Sequence, residues 1–119
     1  MTGVSKSTDP SALFRAFADP TRLRILNLLK TGELCVCDVC EVLGEIQPKI
    51  SRHLAYLRRT GLITARQHGR WAFYQLTEQP TAAQKALLAC IGTCLADFEV
   101  LARDLKRLKT LRRRERACA

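Results

Sequence analysis

Three cysteines lie within six positions of the chain, in the string ELCVCDVC at residues 33–40. Thiolates are soft ligands, so Cys35, Cys37 and Cys40 could together bind a soft, thiophilic ion. Trivalent arsenic or antimony takes three sulfur ligands in a pyramid, whereas structural zinc usually takes four ligands in a tetrahedron. A local trio therefore favours a three-coordinate centre over zinc, unless a fourth ligand comes from elsewhere.

The spacing of these cysteines does not suit a regular helix. Along an α-helix Cys37 and Cys40 lie about 60° apart around the axis, but Cys35 lies about 160° from Cys37. In an extended segment, residues i and i+2 point to the same side. We therefore expect Cys35 to precede a short helix, or the first turn of that helix to unwind when all three cysteines bind.

Cysteines outside this string have several possible roles. Cys90 and Cys94 share a helix face if that segment is helical, either as small packing residues or as a second metal site. Cys118 lies next to the last residue of the sequence. Cys40 lies on an apolar face and could also pack in the core, where free cysteine is common.

The compartment decides how the six cysteines are interpreted. The first ten residues contain no apolar segment typical of a signal peptide, and no apolar run is long enough to cross a bilayer. We therefore expect a cytoplasmic protein with no membrane partner. In a reducing compartment, clustered cysteines bind metal or perform redox chemistry more often than they form disulfides.

An enzyme is disfavoured by the context of the cysteines. Residues 37–40 form a Cys-x-x-Cys motif, but dithiol oxidoreductases place that motif after a strand of a βαβ unit, and no strand is predicted before Gly32. No nucleophile–histidine–carboxylate set, glycine-rich phosphate loop or organic-cofactor signature is present. We therefore predict that the protein is not an enzyme and has no organic cofactor.

The elements that must position the cysteines begin with three helices. Asp9-Pro10 and Asp19-Pro20 each open a helix, because aspartate caps the first turn and proline fits its first position. A short helix carries Val36, Val39, Cys40 and Leu43 on one face and stops at Gly44.

Three further elements follow. A helix over residues 47–60 ends before Gly61, and a hairpin turns at His68-Gly69. Apolar residues then continue at spacings of three and four within residues 80–111, which predicts one long amphipathic helix that packs against a partner. This order predicts a mainly α fold with a small β-hairpin (α+β), a winged helix-turn-helix.

The helix over residues 47–60 has the two faces that a DNA-reading helix needs, one anchored in the core and one polar and basic. The net charge is +9, concentrated in residues 46–77 and 106–116, which indicates a polyanion partner. We predict double-stranded operator DNA as that partner. The candidate DNA-binding residues are Gln47, Lys49, Ser51, Arg52, Tyr56 and Arg59 on the helix, with Arg66 and Arg70 flanking the hairpin tip.

The segments ELCVCDVC and QPKISRHLAYLRRTGL resemble the ArsR/SmtB family of metal-sensing winged-helix repressors, in its arsenic- and antimony-responsive branch. The resemblance covers residues 9–105. It implies a homodimer, formed through the terminal helices, that occupies its operator and leaves when the inducer binds. In that branch, the cysteines that correspond to Cys35, Cys37 and Cys40 take trivalent arsenic.

The sequence departs from two other branches of that family. Cadmium- and lead-sensing relatives recruit cysteines from an N-terminal extension, and residues 1–34 contain none. Zinc-sensing relatives use histidines and carboxylates on the last helix, where this chain offers Asp97, Glu99 and Asp104 but no histidine. Cys90 and Cys94 lie there instead, so the trio is not necessarily the whole ligand set.

These observations predict one winged helix-turn-helix domain over residues 9–111, a disordered N-terminus over residues 1–8 and a basic flexible tail over residues 112–119. The predicted function is an arsenite- or antimonite-responsive repressor, with As(III) or Sb(III) as inducer. We expect the ion to distort the first turn of the short helix and so change the spacing of the DNA-reading helices. The alternatives are thiol-redox sensing, sensing of Cd, Zn or Pb, and a purely structural zinc.

Overall fold

The computed structural model describes residues 9–118, and the predicted disordered segment, residues 1–8, lies outside that range. The described residues form six helices and three strands. Their order is α1 (Pro10–Phe17), α2 (Pro20–Leu29), β1 (Leu34–Cys35), α3 (Val36–Leu43), α4 (Gln47–Arg59), β2 (Ile63–His68), β3 (Trp71–Leu76), α5 (Ala82–Thr93) and α6 (Glu99–Cys118). The predicted mainly α, winged helix-turn-helix architecture is confirmed.

The first two helices begin where their capping residues predict. Asp9 accepts a hydrogen bond from the backbone N–H of Ser11 at 3.0 Å, and Asp19 accepts one from the backbone N–H of Arg22 at 2.9 Å. Each carboxylate satisfies a first-turn N–H group that has no partner within its helix. None of the helices in residues 9–118 combines the length and the apolar run that a bilayer span requires.

The core lies where α2, α3 and α4 meet. Their apolar faces supply most of the largest fully buried side chains, which are Ile25, Leu26, Leu28, Val39, Val42, Ile50, Leu54 and Leu57. A close-packed interior transmits small displacements rather than absorbing them. The position of α4 therefore depends directly on that of α3.

The hairpin of β2 and β3 turns at Gly69, whose φ of +64° is a conformation that glycine adopts at no steric cost. On its other edge β3 pairs with β1, placing Leu34 opposite Tyr74 and Cys35 opposite Phe73. The strand order is β1-β3-β2. The sequence analysis did not predict β1, because a strand of two residues has no measurable period.

The prediction of one long helix within residues 80–111 is wrong. Helix α5 ends at Thr93, and a turn separates it from α6, which begins at Glu99. Gly92, Thr93 and Asp97 all have low helix propensity and lie at this break. The spacing of apolar residues continues across the turn, so periodicity alone does not detect it.

Helix α6 continues across residue 112, where the predicted basic tail begins, and ends at Cys118. Its C-terminal part lies beside α3, where Arg114 Nη2 is 3.0 Å from Glu41 Oε2. Leu111 is buried in the same core as the other helices. Basic residues that would repel one another in an isolated tail are therefore held on a helix that packs against the domain.

Candidate thiol site and nucleic-acid interface

The first of the clustered cysteines lies at the end of a strand. Cys35 has φ −73° and ψ 145°, an extended conformation, and it directly precedes the first turn of α3. Its opposite residue across the sheet is Phe73, so pairing with the hairpin fixes its backbone. Of the two arrangements expected from the spacing, the structure has the one in which Cys35 precedes the helix.

The second cysteine lies beside the first. Cys37 is in the first turn of α3, and its Sγ is 2.8 Å from the Sγ of Cys35. Cys35 is buried and Cys37 is exposed, so the pair has one thiol against the core and one open to solvent. The structure thus brings two of the three predicted donors together without unwinding the helix.

The third cysteine is near this pair but is not assembled with it. Cys40 lies one turn further along α3 and is half-buried. Within residues 9–118, no three cysteine, histidine, aspartate or glutamate side chains surround a position suited to a metal ion. A three-sulfur site therefore requires Cys40 to move toward Cys35 and Cys37. The donor chemistry fits a soft trivalent ion, because all three side chains are thiols.

The surroundings of the α3 cysteines keep both thiols protonated at neutral pH. Two causes raise the pKa of Cys37 to about 12: desolvation of its thiol is the larger, and its hydrogen bond with Cys35 is the next. Burial, followed by the proximity of Cys35, raises the pKa of Cys40. A hydrated metal cation must displace these protons before it can bind. A ligand that carries its own hydroxide groups can instead remove each proton as water.

The helix that carries Cys37 and Cys40 also contacts α6. Arg107 Nη1 donates a hydrogen bond to the backbone carbonyl of Val42 at 3.3 Å. Asp38 lies near Glu115, and burial together with this second carboxyl raises the pKa of Asp38 to about 6. Helix α3 is therefore packed between α4 on one side and the C-terminal part of α6 on another.

The outer face of α4 carries the predicted DNA-contacting side chains at the surface. Exposed or half-exposed positions are Gln47, Lys49, Ser51, Arg52 and Arg59. Lys49 Nζ lies 3.1 Å from Glu45 Oε2, a partly exposed pair that solvent screens. This face is polar and basic, as the sequence analysis expected of a helix that enters a major groove.

Tyr56 on α4 is engaged by an arginine that the sequence analysis did not single out. The guanidinium carbon of Arg22 lies 4.0 Å from the centre of the Tyr56 ring, and that of Arg59 lies 5.6 Å away. Arg22 also donates hydrogen bonds to the backbone carbonyls of Ala16 and Arg15. Tyr56 therefore links α4 to α1 and α2, in addition to its predicted role at the DNA surface.

The two arginines of the hairpin differ in their surroundings. Arg66 forms two hydrogen bonds with Glu33, at 2.7 and 2.9 Å, and stacks over the ring of Phe73 at 4.8 Å. Arg70 is exposed in the turn and lies 5.9 Å from the ring of Trp71. The sequence analysis missed Glu33, because its partner is 33 residues away. Arg70 is the more available of the two for a phosphate.

The second cysteine pair lies on α5. Cys90 and Cys94 are one turn apart at the end of this helix, and the proximity of the Cys94 thiol raises the pKa of Cys90. Cys90 is half-buried and Cys94 is exposed. The structure therefore brings these two predicted residues together, on a different helix from Cys37 and Cys40.

The carboxylates of the last helix do not join this pair. Asp104 is 0% exposed and forms two hydrogen bonds with Arg24 of α2, at 2.7 and 2.9 Å. Asn27 of α2 donates to the backbone carbonyl of Leu101 nearby, at 3.1 Å. Asp104 thus docks α6 onto α2 and has no free oxygen pair to offer a zinc ion.

Comparisons with known proteins show what this chain is similar to. The sequence profile of "Bacterial regulatory protein, arsR family" matches residues 19–65. The arsenic resistance transcriptional regulator ArsR1 of Pseudomonas putida is 40% identical over 114 residues, which cover 92% of this chain and 88% of that protein. The arsenical resistance operon repressor of Escherichia coli K12 is 55% identical over 69 residues, which cover 57% of this chain and 59% of that repressor.

A solved structure also resembles this fold. The AntR antimony-specific transcriptional repressor superimposes with a TM-score of 0.63 at 26% identity, covering 78% of this chain and 81% of that one. The matched proteins are transcriptional regulators rather than enzymes, as the sequence analysis predicted.

Proposed function

Because the chain belongs to the ArsR family of bacterial regulatory proteins, we propose that it is a repressor that binds operator DNA as a homodimer and releases it when As(III) or Sb(III) binds. The proposed inducer ligands are Cys35, Cys37 and Cys40. The observation that carries this proposal is the 2.8 Å contact between the sulfurs of Cys35 and Cys37 at the start of α3. Two soft donors are adjacent there, directly before the helices that read DNA.

The protonated state of the thiols suits arsenous acid, As(OH)3. Each thiol replaces one hydroxide, so that an As–O bond breaks, an As–S bond forms and the thiol proton leaves within a water molecule. Cys35 and Cys37 supply two sulfurs from their present positions, and Cys40 completes the set. Arsenic remains trivalent and no oxidant is consumed. The same exchange applies to the hydroxide of trivalent antimony.

Two connections link the proposed site to the DNA surface. Cys35 is paired with Phe73, so a displacement of Cys35 pulls on the hairpin. Val39 and Leu43 of α3 are buried in the core that α4 shares, so a movement of Cys40 displaces these neighbours. Binding three sulfurs to one ion therefore disturbs the hairpin and the recognition helix together. We infer that this disturbance changes the spacing of the two DNA-reading helices in the dimer.

The proposed DNA contacts follow from the exposure of the side chains. Helix α4 enters the major groove, which is about 12 Å wide and admits one helix. Its N-terminal half presents Gln47, Lys49, Ser51 and Arg52, and its C-terminal half presents Tyr56 and Arg59. Arg70 at the hairpin tip reaches the adjacent backbone. Arg66 contributes after it is released from Glu33.

The proposed dimer uses the terminal helices, which carry large apolar side chains at the surface. Phe98, which directly precedes α6, is 59% exposed, and Leu105 on α6 is 37% exposed, although both belong to segments of apolar spacing. A second copy of the chain would cover them and so remove apolar surface from water. Sedimentation equilibrium should give twice the 13.4 kDa chain mass. A single-chain mass at micromolar concentration would contradict the dimer.

Operator release tests the proposed ligands. A fluorescent operator bound by the wild-type protein should lose anisotropy when arsenite is added under strong reductant. Cys35→Ser and Cys37→Ser should bind the operator normally but fail to release it, because two sulfurs cannot complete the site. The matched control is Cys118→Ser, which should respond as the wild type does. Normal release by both Cys35→Ser and Cys37→Ser would show that the proposed site is wrong.

The adjacency of two thiols also favours a second candidate, a thiol-redox sensor. An oxidant could convert Cys35 and Cys37 to a disulfide, with loss of two electrons and two protons. Release by arsenite under strong reductant distinguishes the two, because a redox sensor would then stay on the operator. Release by a peroxide alone, with no response to arsenite, would favour the redox sensor.

A further inference from the structure

A large apolar side chain lies at the N-terminal end of α4, the helix that carries most of the proposed DNA contacts. Ile46 is 69% exposed, more than any other large apolar side chain in residues 9–118. It lies in the short connection between α3, which ends at Leu43, and α4, which begins at Gln47. Packing within the chain therefore does not account for an isoleucine at this position.

Capping of α4 does not account for Ile46 either. Ile46 is the N-cap residue of α4, with an extended backbone at φ −75° and ψ 151°, and its side chain makes no capping hydrogen bond. By contrast, the side-chain oxygens of Asp9, Asp19 and Thr81 cap α1, α2 and α5. Isoleucine is among the least favourable N-cap residues, because it offers no acceptor to the free N–H groups of the first turn. Ile46 thus costs α4 stability, and a residue that breaks such a local rule is expected to contribute to function.

The residues next to Ile46 belong to the proposed DNA surface. Gln47, which is exposed, follows it directly, and the half-exposed Lys49 lies one turn further along α4. Lys49 Nζ is 3.1 Å from Glu45 Oε2, so two opposite charges offset each other beside the isoleucine. Ile46 also lies on a different element from the exposed apolar residues of the proposed dimer surface. The partner that covers Ile46 is therefore the one that α4 binds.

The major groove of DNA offers one apolar group to such a side chain, the C5-methyl of thymine. A recognition helix contacts base edges with its N-terminal residues, and Ile46 lies at that end. Contact between isoleucine and a thymine methyl removes apolar surface of both groups from water and leaves no polar group without a partner. Cytosine lacks the methyl group, so this contact favours thymine over cytosine.

We propose that Ile46 determines sequence specificity by contacting a thymine methyl group in each half-site of the operator. This inference rests on the proposed function, in which α4 enters the major groove. It adds an apolar contact to the proposed polar contacts of the same helix. Removal of the thymine methyl group should therefore weaken binding only while an apolar side chain of sufficient size occupies position 46.

Replacement of thymine by uracil tests the contact, because the two bases differ only in the methyl group. A duplex that the wild-type protein selects from a random DNA pool is synthesised in two forms, one with thymine and one with uracil at every thymine position. In anisotropy titrations the wild type should bind the uracil duplex more weakly, by about fourfold for each buried methyl group and about 15-fold for two half-sites. For Ile46→Ala, the ratio of the two affinities should fall by that factor.

Three further variants separate contact with the methyl group from general effects on binding or folding. Gln47→Ala is the matched control at the neighbouring position, and it should weaken binding of both duplexes equally. Ile46→Val keeps a branched apolar side chain and should preserve most of the preference for thymine. Ile46→Ser should lose the preference and yet raise the melting temperature, because serine can cap the first turn of α4.

Three results would overturn the inference. The first is equal affinity of the wild type for the thymine and uracil duplexes, and the second is a ratio of affinities that Ile46→Ala leaves unchanged. The third is a lower melting temperature for Ile46→Ser, because folding would then account for the isoleucine. A protein that selects no duplex would refute the proposed function and this inference together, whereas a selected duplex with an unchanged ratio would refute this inference alone.

Discussion

At the scale of the residue, the protonation of the cysteines predicts how inducer binding depends on pH. The raised pKa of Cys37, about 12, and the raised pKa of Cys40 mean that both thiols carry protons at neutral pH. Arsenous acid removes those protons as water, so no net proton is released. A divalent metal releases one proton for each thiol that it binds, so its affinity must rise with pH.

We therefore expect the arsenite affinity to stay constant between about pH 7 and about pH 8, below the ordinary thiol pKa of about 8.5. Over the same range the cadmium affinity should rise by up to about tenfold for each thiol proton released per pH unit. Titrations of the operator complex with arsenite and with cadmium at several pH values measure the two affinities. An arsenite affinity that rises as steeply as that of cadmium would mean that the thiols bind arsenic with net proton release.

Sequence alone predicted the chemistry of the cysteine trio but not its arrangement. The types and spacing of Cys35, Cys37 and Cys40 favour a soft ion and exclude a regular helix across all three. The sequence could not show whether Cys35 precedes the short helix or whether the first turn of that helix unwinds. That choice depends on pairing between Cys35 and Phe73, residues that are far apart in sequence and joined through a two-residue strand.

At the scale of the element, the hairpin offers a test of which arginine binds DNA. Arg70 is exposed at the tip, whereas Arg66 is held by Glu33. Arg70→Ala should weaken operator binding and reduce the slope of log K against log salt by about 1 per protomer, because one phosphate contact is lost. Arg66→Ala is the matched control and should reduce the slope less. Anisotropy titrations across a salt series measure this, and equal slopes for both variants would refute the distinction.

The docking of α6 on α2 should depend on one buried ion pair. Arg24→Ala leaves Asp104, which is 0% exposed, without its partner and should lower the free energy of unfolding by about 3–5 kcal/mol. Arg114→Ala removes a pair with Glu41 in which both side chains are more than half exposed, so the change should be at most about 1 kcal/mol. Urea denaturation at one protein concentration compares the two variants, and similar losses would contradict the role given to Asp104.

Helices α1 to α4 and the hairpin could be predicted because their signals are local. Asp9 and Asp19 cap the first two helices, and Gly44 and Gly69 mark a helix end and a turn. The break between α5 and α6 was missed because the apolar spacing continues through it. The C-terminal part of α6 was missed because its order comes from contacts with α3, which local composition does not report.

At the scale of the whole molecule, the proposed coupling must act in both directions. If arsenite loosens operator DNA by a factor between about 5 and about 150, then operator DNA must weaken arsenite binding by the same factor. Arsenite affinity measured on free protein and on the saturated operator complex tests this equality. Two unequal factors would mean that the protein released from DNA is not in the same state as the free protein.

The pairing of β1 with β3 means that the thiol site and the hairpin are one structural unit. Cys35 is a residue of the same sheet whose hairpin carries Arg70, a proposed DNA contact, so residues 33–40 do not form the site independently of the sheet. Transplanting residues 33–40 into another winged-helix protein would carry the sulfurs but not the strand that orients the first of them. A recombinant sensor built from this chain would have to include Phe73 and Tyr74 together with the cysteines.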